Sequence, residues 1–380
     1  MAACLDAPSI HFLGRAVAHS ESERSRLHVN IDATERGAIR FLSSMNAEAG
    51  DFRVAVVGLG KMGILHACLL SVMPEVRIAA IAERRHPLLM VSRRMFPLAH
   101  PVSNVEDLDG MDLDAVFVTT PIRSHFPICK SVLSLGLAKN LFVEKTLASN
   151  AREGQEIIRL ARARGAIVMV GYQRKFGVTF RKARELLYSG NLGDLESFEA
   201  YALSSDGLRA GGNNHASDAR DGVVRDLGSH AISLATWFFG RLQVEECSCE
   251  PADKSRSEHS AAVTVQGERG LIGQFQFSWM SEGYRMPEVG IRISSTNAAI
   301  EANDDFVKIA TENGEQKTWY RHDLNDEVDY LLGGPEYYRE DRFFVDAVNS
   351  GRDIGPELSE AVEVERIIDD ALARAGKGSA

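Results

Sequence analysis

The stretch Val54-Ala55-Val56-Val57-Gly58-Leu59-Gly60-Lys61-Met62-Gly63 decides the fold class of this chain. Its first four residues form a short, continuous apolar run, which is the pattern of a strand buried on both faces of a sheet. Three glycines then follow with the spacing G-x-G-x-x-G, and a helical pattern begins directly after them, at about residues 61–73. A buried strand, a glycine turn and a helix in this order predict the first unit of a parallel sheet.

Strand and helix patterns alternate downstream of this unit. Further buried-strand runs lie at 78–82, 114–119, 141–143 and 166–170. Helical patterns separate them, notably at 124–135 and 150–164. Alternation of this kind, with right-handed crossovers, predicts a doubly wound Rossmann domain, which we assign to residues 51–171.

After Gly171 the pattern changes to consecutive strands. One helix at about 178–189 is followed by seven strand-like segments, interrupted by a helix at 229–239. Consecutive strands with short polar turns predict an open, mostly antiparallel sheet with helices on one face, so the fold class is α/β plus α+β. We assign residues 172–335 to this second domain, for substrate binding and oligomerisation, and expect helices within 336–380 to pack back on the body.

Two segments stand apart from these domains. Residues 1–50 read as an N-terminal extension; a mobile extension, or a translation start placed too early, is favoured over a packed or partner-binding segment. The polar, glycine-rich loop at 204–222 either covers substrate or is an ordinary loop.

The composition excludes several classes of partner. The formal net charge is −10, so non-specific binding to nucleic acid is not expected. No apolar run approaches the roughly 18 residues of a membrane span, and no basic amphipathic stretch suits a membrane surface. The five cysteines are scattered without zinc-site spacing, which indicates no metal site and a reducing, cytoplasmic compartment.

The glycine stretch predicts a dinucleotide site. Gly58 allows the tight turn, Gly60 lets the backbone approach a pyrophosphate, and Gly63 permits close packing of helix and strand. The helix that opens at Lys61 and Met62 supplies free N–H groups for the phosphates.

An acidic residue near the end of the second strand bears on which dinucleotide binds. Glu83 lies 20 residues beyond Gly63 and can accept hydrogen bonds from a ribose diol, which favours NAD. Arg84 and Arg85 favour NADP, because guanidinium groups can hold a 2′-phosphate. NAD is the favoured cofactor and NADP the alternative.

Four later segments carry further candidate residues. They are Thr119-Thr120-Pro121-Ile122-Arg123-Ser124-His125, Glu144-Lys145-Thr146, Gly171-Tyr172-Gln173-Arg174 and Asp226-Leu227-Gly228-Ser229-His230. Together with the glycine loop and in this order, they resemble the motifs of the Gfo/Idh/MocA family, the glucose–fructose oxidoreductase and inositol dehydrogenase relatives. Thr146 departs from the proline usual in that family, so the peptide bond before it is expected to be trans or specially held.

The resemblance implies a catalytic group of Lys145, Asp226 and His230. His230 is the best proton acceptor, since imidazole titrates near neutrality. Asp226, four residues earlier on one helix face, is expected to orient His230, raise its basicity or bind a substrate hydroxyl. The ammonium of Lys145, at the end of a parallel strand, can polarise the reacting oxygen.

The remaining motif residues are assigned to binding. Thr120, Pro121, His125 and Glu144 are expected at the cofactor, although for His125 a structural role at the helix start is favoured. Tyr172, Gln173 and Arg174 either contact nicotinamide or substrate hydroxyls or pack the domain interface.

These residues predict an NAD(P)-dependent dehydrogenase or reductase acting on CH–OH groups. The leading hypothesis is reversible oxidation of a secondary alcohol on a sugar, cyclic polyol or nucleotide-linked sugar. The alternatives are a glycosidase that retains NAD and oxidises its substrate transiently, and a non-catalytic dinucleotide-binding regulator. The broad sheet of the second domain predicts a homodimer or homotetramer.

Overall fold

A computed structural model describes residues 52–190, 192–209, 221–251, 257–284, 286–324, 328, 334–354 and 357–376. The extension at 1–50 and residues 210–220 of the polar loop lie outside the described residues, so the expectations for them stay predictions.

The first sheet is parallel and has six strands in the order β3-β2-β1-β4-β5-β6. The strands are β1 (Phe52–Val57), β2 (Val76–Ala82), β3 (His100–Val102), β4 (Leu113–Val118), β5 (Ala138–Glu144) and β6 (Val168–Gly171). The connecting helices are α1 (Lys61–Ser71), α2 (His86–Met95), α3 (His125–Leu135) and α4 (Ala151–Arg164). The predicted doubly wound sheet is therefore confirmed, although the sequence patterns missed α2 and the three-residue strand β3.

The strand order reverses between β1 and β4, and this places the candidate residues. β1 pairs with β2 on one side and with β4 on the other, so the loops after β1 and β4 leave the sheet beside each other. Ligands of doubly wound sheets bind at such a reversal, at the carboxyl ends of the strands. The glycine loop follows β1, and the Thr119–Pro121 segment follows β4.

The second sheet has eight strands in the order β14-β13-β12-β11-β7-β10-β9-β8. The strands are β7 (Leu195–Leu203), β8 (Gln243–Glu250), β9 (Ser260–Gln266), β10 (Ile272–Ser278), β11 (Glu288–Ser295), β12 (Ala298–Asn303), β13 (Phe306–Thr311) and β14 (Gln316–Tyr320). Only β7 and β10 pair in parallel, which confirms the mostly antiparallel prediction. The last strand, β14, was not predicted.

Side chains of this second sheet alternate between its two faces. Along β10, Gly273, Phe275 and Phe277 are buried, whereas Gln274 and Gln276 are exposed. The buried face packs against α5 (Val178–Leu187) and α6 (Ser229–Phe239), as the period-two pattern predicted.

Two C-terminal helices pack against elements of the two domains. α7 (Pro335–Ser350) packs on α1 and on the short turn Gln173–Phe176. α8 (Glu357–Arg374) packs on α4, β6, α6 and β8. The exact domain boundaries at 171 and 335 stay a prediction. None of the helices in the described residues is both long and apolar enough to cross a membrane.

Candidate active site

The glycine loop is shaped by contacts that leave no room for side chains at two of its three glycines. Gly58 has φ +97°, a left-handed conformation that favours glycine. A Cβ on Gly63 would lie 1.9 Å from the carbonyl oxygen of Gly58. Thr119, which follows β4, donates from Oγ1 to that same oxygen at 2.7 Å. No local sequence pattern indicates that Thr119 holds the loop, because the contact joins residues 61 positions apart.

The same loop fits a pyrophosphate at its outer side. A Cβ on Gly60 would meet no atom within 4 Å, unlike one on Gly63. The first turn of α1, at Lys61 and Met62, carries no acidic residue, and no side chain caps it. Nearby, the buried Oγ1 of Thr120 has no hydrogen-bond partner among the described residues. Free helix N–H groups and an unpartnered hydroxyl suit a bound phosphate.

Glu83 lies buried at the end of β2 with its carboxylate turned to the glycine loop. Its Oε2 accepts the N–H of Leu59 at 2.7 Å, and its Oε1 accepts the N–H and Nε–H of Arg85 at 2.8 and 3.1 Å. Burial raises the pKa of Glu83, but the hydrogen bonds from Arg85 and Leu59 outweigh it and lower that pKa. Arg85, a candidate 2′-phosphate ligand, is thus paired with Glu83, although its side chain is 64% exposed, and Arg84 is exposed as well.

Lys145 and Asp226 meet between the two sheets. Lys145 directly follows β5, and its Nζ donates to Oδ1 of Asp226 at 2.6 Å and to the Asp226 carbonyl oxygen at 2.5 Å. Asp226 lies in a π-helical turn, Val224–Gly228, directly before α6. Both side chains remain partly exposed, at 17% and 26%, so a substrate oxygen can reach them.

His230, on the first turn of α6, is buried and neutral. Burial, together with the positive charges of Lys145 and Arg174, holds its pKa well below 6.5. Its Nδ1 has no partner among the described residues. Among the described residues, the Asp226 carboxylate pairs with Lys145 and not with Nδ1 of His230, so an orienting role is not supported; a role in raising the basicity of His230 or in binding a substrate hydroxyl stays a prediction.

The peptide bond between Lys145 and Thr146 is cis, so of the two expected alternatives, a trans bond or a specially held one, the trans bond is wrong. Thr146 is fixed by the neighbouring His125, whose Nδ1 lies 2.7 Å from the Thr146 carbonyl oxygen. The His125 Nε2 lies 2.7 Å from the carbonyl oxygen of Thr120. Because His125 is fully buried, these contacts favour its structural role over contact with a cofactor. Pro121 is exposed beside it, before the short turn Ile122–Ser124.

The motif after Gly171 faces α7 and the second sheet. Tyr172 is buried, with Nζ of Lys175 5.7 Å from the centre of its ring. Gln173 is buried and donates from Nε2 to the hydroxyl of Tyr337 at 2.9 Å. These contacts favour interface packing for both residues. Arg174 forms an ion pair with Asp304, and its Nε has no partner among the described residues. Since its charge acts on His230, Arg174 lies closest to the candidate chemistry.

Glu144 is buried and binds His66, a residue that the sequence patterns did not single out. Its Oε1 lies 2.8 Å from Nε2 of His66, in the middle of α1. The apolar pattern predicted one face of α1 with Ile64, Leu65, Cys68 and Leu69. Of these only Leu69 is buried, whereas His66 is fully buried. A histidine three residues after Gly63, in an otherwise apolar helix, is the sequence signal for this contact. Its burial is explained only by its two carboxylate partners.

Comparison with known proteins agrees with this geometry. An oxidoreductase family with an NAD-binding Rossmann fold, GFO_IDH_MocA, matches residues 52–172. The GFO/IDH/MocA C-terminal domain matches residues 180–301.

Individual relatives are distant. The scyllo-inositol 2-dehydrogenase (NADP(+)) of Bacillus subtilis is 28% identical over 191 residues, which is 50% of this chain and 52% of that protein. The alignment thus spans about half of that relative. The inositol 2-dehydrogenase of Rhizobium meliloti is 23% identical over 348 residues, covering 84% of this chain and 96% of that protein.

A solved structure shares the fold. Levoglucosan dehydrogenase in complex with NADH and levoglucosan superposes with a TM-score of 0.75 at 19% identity, covering 86% of this chain and 98% of that one. With both halves of the fold matched by family models, and with the glycine loop and the Lys145–Asp226 pair at the carboxyl edge of the parallel sheet, the chain belongs to the Gfo/Idh/MocA oxidoreductase family.

Proposed function

We propose that the protein transfers a hydride reversibly between a nicotinamide cofactor and a secondary alcohol or ketone of a sugar, cyclic polyol or nucleotide-linked sugar. The observation that carries the proposal is the ion pair between Lys145 and Asp226, at 2.6 Å, beside the buried and neutral His230. It lies at the same edge of the parallel sheet as the glycine loop that fits a pyrophosphate.

Each residue of this group has a distinct task. When bound, NAD(P) accepts or returns the hydride. The Lys145 ammonium donates a hydrogen bond to the reacting oxygen and stabilises the negative charge that develops there. His230 accepts the hydroxyl proton, since its imidazole is uncharged over the neutral pH range. Asp226 holds the Lys145 ammonium in place and can accept a hydrogen bond from a second substrate hydroxyl.

The substrate class rests on two kinds of support. The named relatives act, by their names, on inositols and levoglucosan, which all present adjacent hydroxyls on a ring. The site residues are polar and partly exposed rather than apolar, and such groups suit a polyhydroxylated ring.

The activity test compares two lysines of one strand. We expect Lys145→Met to lower kcat for any accepted sugar or polyol by about 10²–10⁴-fold, since it removes the charged donor to the reacting oxygen. Lys139→Met is the matched control, because Lys139 lies at the start of β5 and pairs with Asp114, away from the site. Turnover is followed at the absorbance band of reduced nicotinamide, with a panel of inositols, anhydrosugars and sugar nucleotides.

Three outcomes would contradict the proposal. Equal activity in Lys145→Met and Lys139→Met would show that Lys145 has no role in the mechanism. Cleavage of a glycoside with no net change in nicotinamide absorbance would indicate a glycosidase. Tight binding of cofactor with no turnover on the whole panel would favour a regulator.

For the cofactor we propose a preference for NAD. The buried Glu83 carboxylate places a negative charge where we expect the ribose, and it pairs with the Arg85 guanidinium. We expect Glu83→Ala to weaken NAD binding by about tenfold, because a charged hydrogen-bond acceptor is lost, and to strengthen NADP binding. Titration of both cofactors by fluorescence checks this, with the exposed Glu106→Gln as control. An unchanged NAD-to-NADP ratio would contradict the assignment.

We further propose a homodimer or homotetramer that uses the exposed face of the eight-stranded sheet. Support comes from the breadth of that face and from its exposed polar residues, such as Gln274 and Gln276 on β10. Light scattering at micromolar concentration should give at least twice the chain mass of 41.7 kDa, and a monomer mass would contradict this.

A further inference from the structure

We propose that His66, held as a buried cation between Glu144 and Asp341, is a positioning residue that aims Lys145 at the reacting oxygen. The inference rests on the proposed function and adds to it a support that reaches the active site from α1 and α7. It also implies that Asp341, on the C-terminal helix α7, supports the active site without touching substrate.

The contacts of His66 are short on both sides of its ring. Nε2 lies 2.8 Å from Oε1 of Glu144, and Nδ1 lies 2.8 and 2.9 Å from the two carboxylate oxygens of Asp341. Ionised carboxylates are acceptors only, so both ring nitrogens must donate. A neutral imidazole has a single N–H and would leave one lone pair facing a carboxylate. With both carboxylates ionised, this geometry requires the doubly protonated ring.

The surroundings of the ring favour the same protonation state. Burial of His66 lowers its pKa, but the two carboxylates outweigh it and raise the pKa well above 6.5. A third carboxyl group, Glu340, is fully buried nearby and has no partner among the described residues. Burial raises the pKa of Glu340 well above its usual range, so it is protonated and does not compete for the cation. The aromatic rings of Phe142 and Tyr337 complete the enclosure.

A continuous set of contacts leads from this cluster to the candidate chemistry. The second oxygen of Glu144, Oε2, accepts the backbone N–H of Lys145 at 3.1 Å. Lys145 in turn reaches Asp226 through its ammonium. His66 thus fixes one oxygen of Glu144 while the other fixes the backbone of the lysine. Loss of the cation frees that carboxylate to rotate, and with it the base of the Lys145 side chain.

The position of His66 also connects two parts of the site. It lies on α1, whose first turn is the phosphate-binding end, and it bonds Asp341 on α7. Buried ion clusters add little net stability over apolar packing of the same volume, so stability alone does not account for three buried charges here. Holding Glu144 at a defined angle does account for them.

The activity experiment compares His66→Gln with Phe344→Leu in the full chain. His66→Gln keeps a polar side chain but loses the cation. Phe344 lies on the same helix as Asp341 and packs on Phe117 and Phe142, so its replacement loosens α7 without touching the cluster. We expect His66→Gln to lower kcat by about 10²-fold, because misplacement of a catalytic group by about 1 Å has that effect. KM and the dissociation constant of NAD should change by less than about threefold, and Phe344→Leu should retain kcat within about twofold at a temperature below both melting points.

A spectroscopic experiment tests the ion state without relying on turnover. Ring ¹⁵N signals of labelled histidine identify His66 by their loss in His66→Gln. In the wild type at pH 7.5, we expect the His66 nitrogen signals to be those of a ring with two N–H groups. In Asp341→Asn, where one carboxylate charge is removed, we expect the signals of a neutral ring.

The outcomes separate this inference from the proposed function. A neutral His66 at pH 7.5, or an equal loss of kcat in His66→Gln and Phe344→Leu, would overturn the positioning role. If the wild type turned over none of the substrates, the proposed function would fail, and the nitrogen signals would still decide whether the buried cation exists.

Discussion

Two neighbouring basic groups of the candidate site, Lys145 and His230, lie in opposite environments. Lys145 is partly exposed and has a carboxylate partner in Asp226, so its charge is compensated. His230 is buried and near two positive charges, so its charged form is disfavoured. One residue is thereby suited to stabilise negative charge and the other to accept a proton.

The buried His230 should lower stability in acid. In the unfolded chain His230 takes up a proton near pH 6.5, whereas in the folded chain its pKa lies well below that value. The unfolded state therefore binds more protons below pH 6.5, and the free energy of unfolding falls as the pH is lowered. Between pH 6.5 and 5 we expect the wild type to lose up to about 1.4 kcal/mol per pH unit more than His230→Asn. Urea titrations over this range measure it, and parallel pH dependences in the two proteins would show that His230 is not held neutral.

At the scale of elements, the loop between β1 and α1 is shaped from the neighbouring strand. Thr119, after β4, binds the carbonyl oxygen of Gly58, and α1 approaches that same oxygen at Gly63. The phosphate-binding end of α1 is thus positioned by a sheet neighbour as well as by its own turn. The three glycines consequently have different roles, which substitution can separate.

Gly60→Ala and Gly63→Ala should differ in which property they lose. A Cβ on Gly60 meets no protein atom and lies where we expect the pyrophosphate, so this variant should keep its melting temperature and lose most of its NAD affinity. A Cβ on Gly63 meets the Gly58 carbonyl oxygen at 1.9 Å, so this variant should lose stability, by about 1–3 kcal/mol or more. Thermal unfolding with and without NAD distinguishes them. Full NAD affinity in Gly60→Ala would show that the pyrophosphate does not bind against Gly60.

At the scale of the whole molecule, α8 is joined to the active-site segment by a buried ion cluster. Arg225, the residue before Asp226, donates to Glu365 at 2.5 Å and to Asp369 at 2.8 Å. Glu365 also accepts the backbone N–H of Ala148, just beyond the Glu144–Thr146 motif. One C-terminal helix therefore contacts both segments that supply the candidate catalytic residues.

Removal of the cation from this cluster should be costly. Arg225→Met leaves Glu365 fully buried without its partner, and we expect the free energy of unfolding to fall by about 3–5 kcal/mol. Arg159→Met is the matched control, because Arg159 pairs with Glu156 on the exposed face of α4 and should leave stability nearly unchanged. Chemical denaturation compares the three proteins. An equally small effect in both variants would mean that Glu365 is protonated and needs no partner, in keeping with the rise of its pKa to about 7.

The sequence alone determined the architecture of the two sheets and the candidate residues on them. Buried apolar runs, glycine spacing and period-two alternation are local patterns, and each reports directly on the element that contains it. For the same reason they identified the glycine loop and Glu83, whereas Lys145, Asp226 and His230 were indicated by the resemblance of their motifs to those of the family.

Only the tertiary structure decided which of those residues meet. It paired the Asp226 carboxylate with Lys145, and the Glu83 carboxylate with Arg85. It also buried His66 between residues 78 and 275 positions away. Strong hydrogen bonds between charged groups depend on distances below about 3 Å, which are set by how helices and sheets pack. Such distances leave no periodic trace along the chain, so the patterns that predicted the elements could not predict these partners.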